Sequence, residues 1–156
     1  MNKGLAYGIL CAFIAASIAL IAARPEWVDD SNRFFREFVN HEFINVLGVI
    51  LAITLASAAQ IHLAFNRIEE RYKVRNALEK TRGELRNNAY WLIGLFLFGV
   101  VIVVTKPVVC SGPTGQAFFN LTALLVLVWH VLILVSLTQL VFSIESEFPD
   151  DRDSGA

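Results

Sequence analysis

Long uncharged stretches of apolar residues alternate with shorter polar segments along this chain. Four stretches, 4–23, 43–65, 89–105 and 117–142, contain no Asp, Glu, Lys or Arg. An α-helix rises about 1.5 Å per residue, so about 20 mostly apolar residues cross the hydrocarbon layer of a bilayer, which is about 30 Å thick. The pattern therefore predicts an all-α polytopic membrane protein with four transmembrane helices.

The composition agrees with this class. The chain of 156 residues is 56% hydrophobic and 17% charged, whereas soluble domains average about 45–50% apolar and about 25% charged residues. The two cysteines, Cys11 and Cys110, are too few for a disulfide scaffold, and their spacing fits no zinc or redox motif. We expect the first apolar stretch to be a retained membrane helix and not a cleaved signal peptide, because three further spans follow it.

The basic residues outside the spans predict the orientation. Segment 66–88 contains seven Lys or Arg residues, and Lys3 lies on the same side of the predicted membrane. The opposite side carries only Arg24, Arg33, Arg36 and Lys106. Because basic residues are enriched in cytoplasmic loops, the prediction is a multi-pass membrane protein with both termini in the cytoplasm. The transmembrane domain then covers 1–142, and we expect the acidic tail 143–156 to be a flexible cytoplasmic segment.

The two connectors on the opposite side carry different signals. In 24–42, Asp30 and Ser31 form a plausible helix N-cap before three phenylalanines that share one helical face. This pattern predicts a short helix in the headgroup layer or a forward extension of the second span. Connector 106–116 contains two prolines and two glycines, which predicts a turn-rich loop.

Segment 66–88 contains good helix formers, and chain geometry limits the shape they can take. A straight continuation of the second span to Gly83 would project about 25 Å beyond Phe65. Extended chain covers at most about 3.6 Å per residue, so the few remaining residues would barely return to Ala89. A cytoplasmic helical hairpin that turns near Arg75 and Asn76 avoids this strain. A helix lying flat on the membrane surface is the other shape that the spacing allows.

The same segment is a candidate docking surface for a cytoplasmic protein. A loop needed only for topology could be shorter and less apolar, although a solvated basic loop in contact with anionic lipid stays an open alternative. We expect no direct nucleic-acid binding, because the segment has no aromatic-basic platform and no recognised nucleic-acid-binding fold. The predicted partner-binding residues are Ile68, Arg71, Tyr72, Val74, Arg75, Leu78 and Arg82.

Polar residues in the second and fourth spans recur at matching depths. The depth pairs are Asn45 with Asn120, Thr54 with His130, Ser57 with Ser136, and Gln60 and His62 with Gln139. Hydrogen bonds between packed helices are the favoured interpretation, and a pore lining is the alternative. The predicted intramembrane polar residues are Thr54, Ser57, Gln60, His62, His130 and Gln139.

Small residues recur at every fourth position in the first two spans. Such spacing lets helix backbones approach closely, within one protomer or between protomers. We expect a homo-oligomer, because a chain of this size has few ways to cover its polar groups alone. The predicted helix-packing residues are Gly4, Gly8, Ala12, Ala16, Gly48, Ala52 and Ala56.

No pattern in the sequence predicts a cofactor or an enzyme. His62 and His130 would differ in depth by about 14 Å, which is too far for both to bind one haem iron within a chain. No nucleophile–base pair and no paired carboxylates occur in or beside the spans, so we expect neither catalytic residues nor a metal site. The spans also lack the charged residues that are typical of proton pumps and coupled transporters.

The four spans and the basic helical segment from Arg67 to Arg86 resemble the KwaA family, the membrane components of the bacterial Kiwa anti-phage systems. The resemblance covers the whole chain and concerns its architecture. It implies a homotetramer in the bacterial inner membrane that senses phage attack at the envelope and recruits a DNA-binding effector, KwaB, from the cytoplasm. Small membrane effectors of other bacterial defence systems share the same coarse plan.

Two hypotheses of function follow. The first is a non-enzymatic membrane sensor or scaffold that homo-oligomerises and docks a cytoplasmic partner through 66–88, in antiviral defence if the resemblance holds. The second is a homo-oligomeric pore that depolarises the membrane.

Overall fold

The computed structural model describes the backbone of residues 3–72, 79–110 and 112–147, and the side chains of 4–67, 79, 81–110 and 112–139. These ranges are helical apart from short connectors, and no strand occurs in them. In chain order, the elements are α1 (Lys3–Ala23), a 3₁₀ helix (Pro25–Trp27), α2 (Arg33–Phe38), α3 (His41–Tyr72), α4 (Glu79–Val109) and α5 (Pro113–Glu147).

Among the described residues, four helices are long and apolar enough to cross a membrane. These spans are Gly4–Ala23, His41–Arg67, Thr81–Val109 and Pro113–Gln139. The outward faces are apolar as well, since Ile18, Leu97 and Val104 are each about 60% exposed. A continuous apolar exterior is unfavourable in water and favourable in hydrocarbon. The predicted all-α, four-span architecture is confirmed at this level, and it indicates a multi-pass membrane protein.

The helices form an up-and-down bundle in which α4 and α5 are central and α1 is peripheral. Helix α4 packs against both α3 and α5, while α1 packs mainly against α5. One third of the α5 span is buried inside the bundle (33%), compared with 6% of the α1 span. Most of the surface of helix α1 is therefore exposed on the outside of the bundle.

Helices α3 and α4 approach each other closely at Gly99. A Cβ atom placed on Gly99 would lie 2.7 Å from Leu47 Cδ1 and 3.2 Å from Phe43 Cε1. Both of these side chains are fully buried, so neither has free space to move into. A glycine is therefore required for this packing, and it lies outside the two small-residue series that the sequence suggested.

We call one end of the bundle the connector end, because residues 24–40 and 110–112 join the long helices there. The short helix α2 confirms the helix predicted in this region, but its N-cap is Asn32 and not the Asp30-Ser31 pair. The Asn32 Oδ1 atom accepts a hydrogen bond from Phe34 N at 3.0 Å. Asp30 is unavailable for capping because its carboxylate contacts α4 and α5, as described below.

The second connector is shorter than the predicted loop 106–116. Helix α4 continues through Lys106 and Pro107, and Cys110 N donates to Lys106 O at 3.0 Å. A proline so close to the end of a helix removes only one of its last hydrogen bonds, so the helix continues past it. Pro113 is the first residue of α5, a position where its fixed φ and missing N–H are well tolerated.

We call the opposite end the hairpin end, because α3 and α4 run past their apolar spans there. Arg82 Nη2 donates to Asn66 Oδ1 at 2.8 Å and so joins the two helices. The described parts therefore have the geometry of a helical hairpin and differ from a single helix lying flat. The predicted turn at Arg75 and Asn76 lies outside the described residues.

Candidate functional site

A sheltered polar cluster lies at the connector end of the bundle. The last turn of α4 presents Lys106, whose Nζ donates to Asp30 Oδ1 at 2.6 Å and to Asn120 Oδ1 at 2.7 Å. Asn120 belongs to the second turn of α5, and Asp30 belongs to the connector between α1 and α2. One ammonium group thus ties together three segments that are distant in sequence.

Asn120 completes the cluster by binding the connector backbone. Its Nδ2 donates to Val28 O at 2.8 Å and to Asp30 Oδ1 at 3.1 Å. On the preceding turn of α5, Gln116 Oε1 accepts from Asp30 N at 3.3 Å. We refer to Asp30, Lys106, Gln116 and Asn120 as the connector cluster.

Burial strengthens the electrostatic interactions of the connector cluster. The side chain of Lys106 is 8% exposed and that of Asp30 is 27% exposed, and Asn120 is fully buried. Charges interact more strongly where water is excluded, and a buried charge is costly once its partner is removed. By contrast, the Arg33–Glu37 pair on α2 is equally short at 2.7 Å but largely exposed. The connector cluster therefore fixes residues 28–30 across the ends of α4 and α5.

The structure differs from the sequence prediction at both Lys106 and Asn120. The pattern predicts Lys106 in a turn-rich loop, but it lies buried in a helix. Matching depth predicts that Asn120 pairs with Asn45, but Asn45 is exposed and Asn120 binds Lys106 and the connector. One available signal was a single lysine directly after a span, with Asp29 and Asp30 in the connector on the same side.

Three of the predicted intramembrane polar residues form hydrogen bonds within their own helices. Thr54 Oγ1 donates to Ile50 O at 2.7 Å, and Ser57 Oγ donates to Ile53 O at 2.9 Å. His130 Nδ1 lies 3.3 Å from Val126 O, one turn earlier in α5. The predicted Thr54–His130 hydrogen bond is therefore not found, because each side chain bonds within its own helix.

Helices α3 and α5 do face each other across an open groove, as the matching depths predicted. The groove has a volume of about 350 Å³. Thr54, Ser57 and Gln60 line it from α3, opposite Leu134, Leu137 and Thr138 of α5. Ser57 thus faces Thr138 and not the predicted Ser136, which lines a different cavity. Ser57, Gln60, His62 and Gln139 are all exposed on the bundle surface.

The two small-residue series have different surroundings. Gly4, Gly8, Ala12 and Ala16 are all exposed on α1, and a Cβ on Gly8 would meet no atom within 4 Å. In α3, Ala52 and Ala56 are exposed, whereas a Cβ on Gly48 would lie 3.6 Å from Phe96 Cε2. Within the protomer, Gly48 is therefore the one member of the predicted set with a described packing role.

The predicted docking residues are only partly within the described chain. Arg82 is half-buried and its bond to Asn66 makes it a structural link between α3 and α4. Ile68, Arg71 and Tyr72 lie on the last turns of α3, and their side chains are outside the described set. Val74, Arg75 and Leu78 lie outside the described residues altogether.

In the described part of the chain, no group of three or more His, Cys, Asp or Glu side chains is arranged so that it could hold a metal ion. The most organised polar site among these residues is the connector cluster. No protein-family model, curated protein or solved structure matches this chain.

Proposed function

We propose that this protein is a non-enzymatic membrane sensor or scaffold that transmits a change at the connector end to a soluble partner at the hairpin end. One observation carries the proposal: a single continuous helix, α4, holds Lys106 of the connector cluster near one end and Arg82 near the other. At about 1.5 Å per residue, these two residues are about 36 Å apart along the helix axis.

The physical basis is the stiffness of a packed helix and the sensitivity of a sheltered ion pair. A ligand or field that opens the Lys106–Asp30 contact would release the last turn of α4 from the connector. Because an α-helix moves largely as a rigid rod, a shift or rotation there would also move Arg82 relative to Asn66. Coupling of this kind requires an element with two arrangements whose equilibrium both ends influence.

The excess of basic residues in 66–88 supports a cytoplasmic position of the hairpin end in this proposal. The partner would bind that segment, and the resemblance to the KwaA family suggests an effector of anti-phage defence. The exposed small residues of α1 supply a surface for the expected homo-oligomer, a tetramer if the resemblance holds.

The coupling can be tested with a spin label at residue 79. In a chain with Cys11 and Cys110 replaced by serine, Glu79→Cys would carry the label at the start of α4, and spectra would be recorded in nanodiscs. Lys106→Met should change the mobility of the label, because it removes the ammonium that anchors the far end of the same helix. Arg33→Met is the matched control, since it breaks an exposed ion pair at the same end of the bundle. Identical spectra for wild type and Lys106→Met would exclude transmission through α4.

Partner docking is tested separately by co-purification. Replacing Tyr72, Val74 and Leu78 with Asp should abolish capture of the cytoplasmic partner while membrane insertion stays intact. Unchanged capture would exclude 66–88 as the docking surface.

The α3/α5 groove favours a second candidate function, a homo-oligomeric pore. Ser57 and Gln60 are exposed on the groove, and polar groups exposed to hydrocarbon are unfavourable unless another chain or water covers them. In liposomes, the purified protein should then conduct ions, and Ser57→Trp or Gln60→Trp should reduce the flux. Leu97→Trp, on an outward apolar face, is the matched control. Absence of flux from the wild-type protein would exclude the pore.

A further inference from the structure

A second cavity lies near the hairpin end, where α1, α4 and α5 meet. Its volume is about 290 Å³, close to the lower limit of about 300 Å³ for small-molecule sites. Its described lining comes from all three of these helices.

The lining of this cavity changes from polar to aromatic along the membrane normal. Glu84, Asn87, Asn88 and Trp91 are spaced i, i+3, i+4 and i+7, so they occupy one face of α4. From Glu84 to Trp91, this face extends about 10 Å along the helix axis. The carboxylate and amides lie towards the hairpin end, and the indole lies deeper in the span.

The antiparallel helix α5 has the same gradient. Trp129 and Ser136 are also seven residues apart, and the ring of Trp129 stacks on that of Trp91 with 5.5 Å between centroids. This stacking sets the register of the two helices and places Ser136 at the level of Glu84. Leu10 of α1 and Ile133 of α5 add apolar surface. The cavity therefore has a polar end and an apolar end, like an amphiphile.

The charge of the residues that line the cavity indicates which kind of head group it would bind. Among the described residues that line the cavity, Glu84 is the only Asp, Glu, Lys, Arg or His. A carboxylate at the polar end of the cavity favours a cation, because anionic oxygens attract positive charge and form strong hydrogen bonds with ammonium groups. The amide oxygens of Asn87 and Asn88 can accept hydrogen bonds from an ammonium group, and their N–H groups can donate to ester or phosphate oxygens.

We propose that this cavity binds an amphiphile with an ammonium head group, such as phosphatidylethanolamine, at the membrane interface near the hairpin end. The ammonium group lies against Glu84, and the apolar body lies along Trp91, Trp129 and Leu10. This site requires only that the bundle spans a membrane and is independent of signal transmission through α4.

Native mass spectrometry of the full-length protein tests the proposal. Protein in detergent would be incubated with equal amounts of phosphatidylethanolamine and phosphatidylglycerol with identical acyl chains, and the retained lipid adducts would be compared. Phosphatidylethanolamine should be retained preferentially. Equal or greater retention of phosphatidylglycerol would overturn the assignment of a cationic head group.

Two substitutions of glutamate locate the site. Glu84→Gln keeps the shape of the side chain and removes its charge, and we expect retention of phosphatidylethanolamine to fall about tenfold, the usual effect of losing a hydrogen bond to a charged group. Glu79→Gln is the matched control, an exposed glutamate of the same helix that does not line the cavity. Equal retention by wild type and Glu84→Gln would overturn the proposal.

Two further measurements distinguish an amphiphile from a free amine. In a Trp27→Phe variant, which retains Trp91 and Trp129, phosphatidylethanolamine with brominated acyl chains should quench tryptophan fluorescence more strongly than its phosphatidylglycerol counterpart. Soluble phosphoethanolamine, which lacks acyl chains, should not relieve the quenching at equal concentration. Relief by the soluble compound would show a head-group site alone and would overturn the amphiphile assignment.

Discussion

The ion pair of the connector cluster should contribute to stability far more than an exposed pair of the same length. Lys106–Asp30 and Arg33–Glu37 have N–O distances of 2.6 and 2.7 Å, so the comparison isolates the effect of burial. Breaking a fully buried pair by removing one partner costs about 3–5 kcal/mol, and exposed pairs contribute about 0.2–1 kcal/mol. Because the Asp30 side chain is 27% exposed, we expect an intermediate coupling energy of about 2 kcal/mol.

A double-mutant cycle measures this coupling. The single variants Lys106→Met and Asp30→Asn and the double variant would be unfolded with sodium dodecyl sulfate in mixed micelles. Tryptophan fluorescence provides the signal, from Trp27 beside the connector residue Val28 and from Trp91 and Trp129. Asp30→Asn should lower the free energy of unfolding by about 3 kcal/mol, since it leaves the Lys106 ammonium sheltered without a counter-ion. The double variant should lose less than the sum of the two single losses.

The exposed pair supplies the reference cycle. Arg33→Met and Glu37→Gln should show a coupling energy of about 0.5 kcal/mol or less. If the two cycles gave equal coupling energies, or if the losses from Lys106→Met and Asp30→Asn were simply additive, the inferred role of burial would be wrong.

Three further predictions concern single positions, each read from the same unfolding titration. Gly99→Ala should lower the free energy of unfolding by about 1–3 kcal/mol, because the new methyl group would overlap Leu47 and Phe43. Gly8→Ala is the control and should have little effect, because its methyl group would enter open space. Equal effects of the two substitutions would contradict the close approach of α3 and α4 at Gly99. His130→Leu should raise the free energy of unfolding by about 1 kcal/mol, since Nε2 is buried without a partner among the described residues. A decrease of more than about 2 kcal/mol would contradict this prediction and show that the imidazole ring makes a stabilising contact. Asn32→Ala should cost about 1 kcal/mol through loss of the α2 N-cap, and an unchanged titration would contradict that role.

The membrane helices could be predicted from the sequence because the signal for each helix lies within one continuous stretch of residues. An uncharged apolar stretch of about 20 residues has few stable alternatives to a membrane-spanning helix. The hairpin geometry of α3 and α4 was also accessible, since it follows from helix rise and chain length alone. The ends of the helices were less predictable, because Pro107 resembled a loop signal although α4 continues past it.

The contacts between helices could not be predicted in the same way, because depth along a helix does not determine rotation about its axis. Asn45 and Asn120 lie at matching depths, yet Asn45 is exposed while Asn120 binds Lys106 and Val28. Spacing likewise identified Gly8, where an added Cβ would meet no described atom within 4 Å, and missed Gly99, where an added Cβ would lie 2.7 and 3.2 Å from two core side chains. The rotation of a helix about its axis is determined by all the side chains that pack against neighbouring helices. A local sequence pattern does not give this information.

The peripheral position of α1 has a consequence for the order in which the protein assembles during synthesis. Its main helical partner is α5, the last of the four spans to leave the ribosome. Helices α3 and α4 can pair as soon as the second of them is inserted, but α1 must stay in the lipid without its neighbour until translation passes residue 113. A nascent chain stalled before that point would hold a paired hairpin beside an undocked first helix.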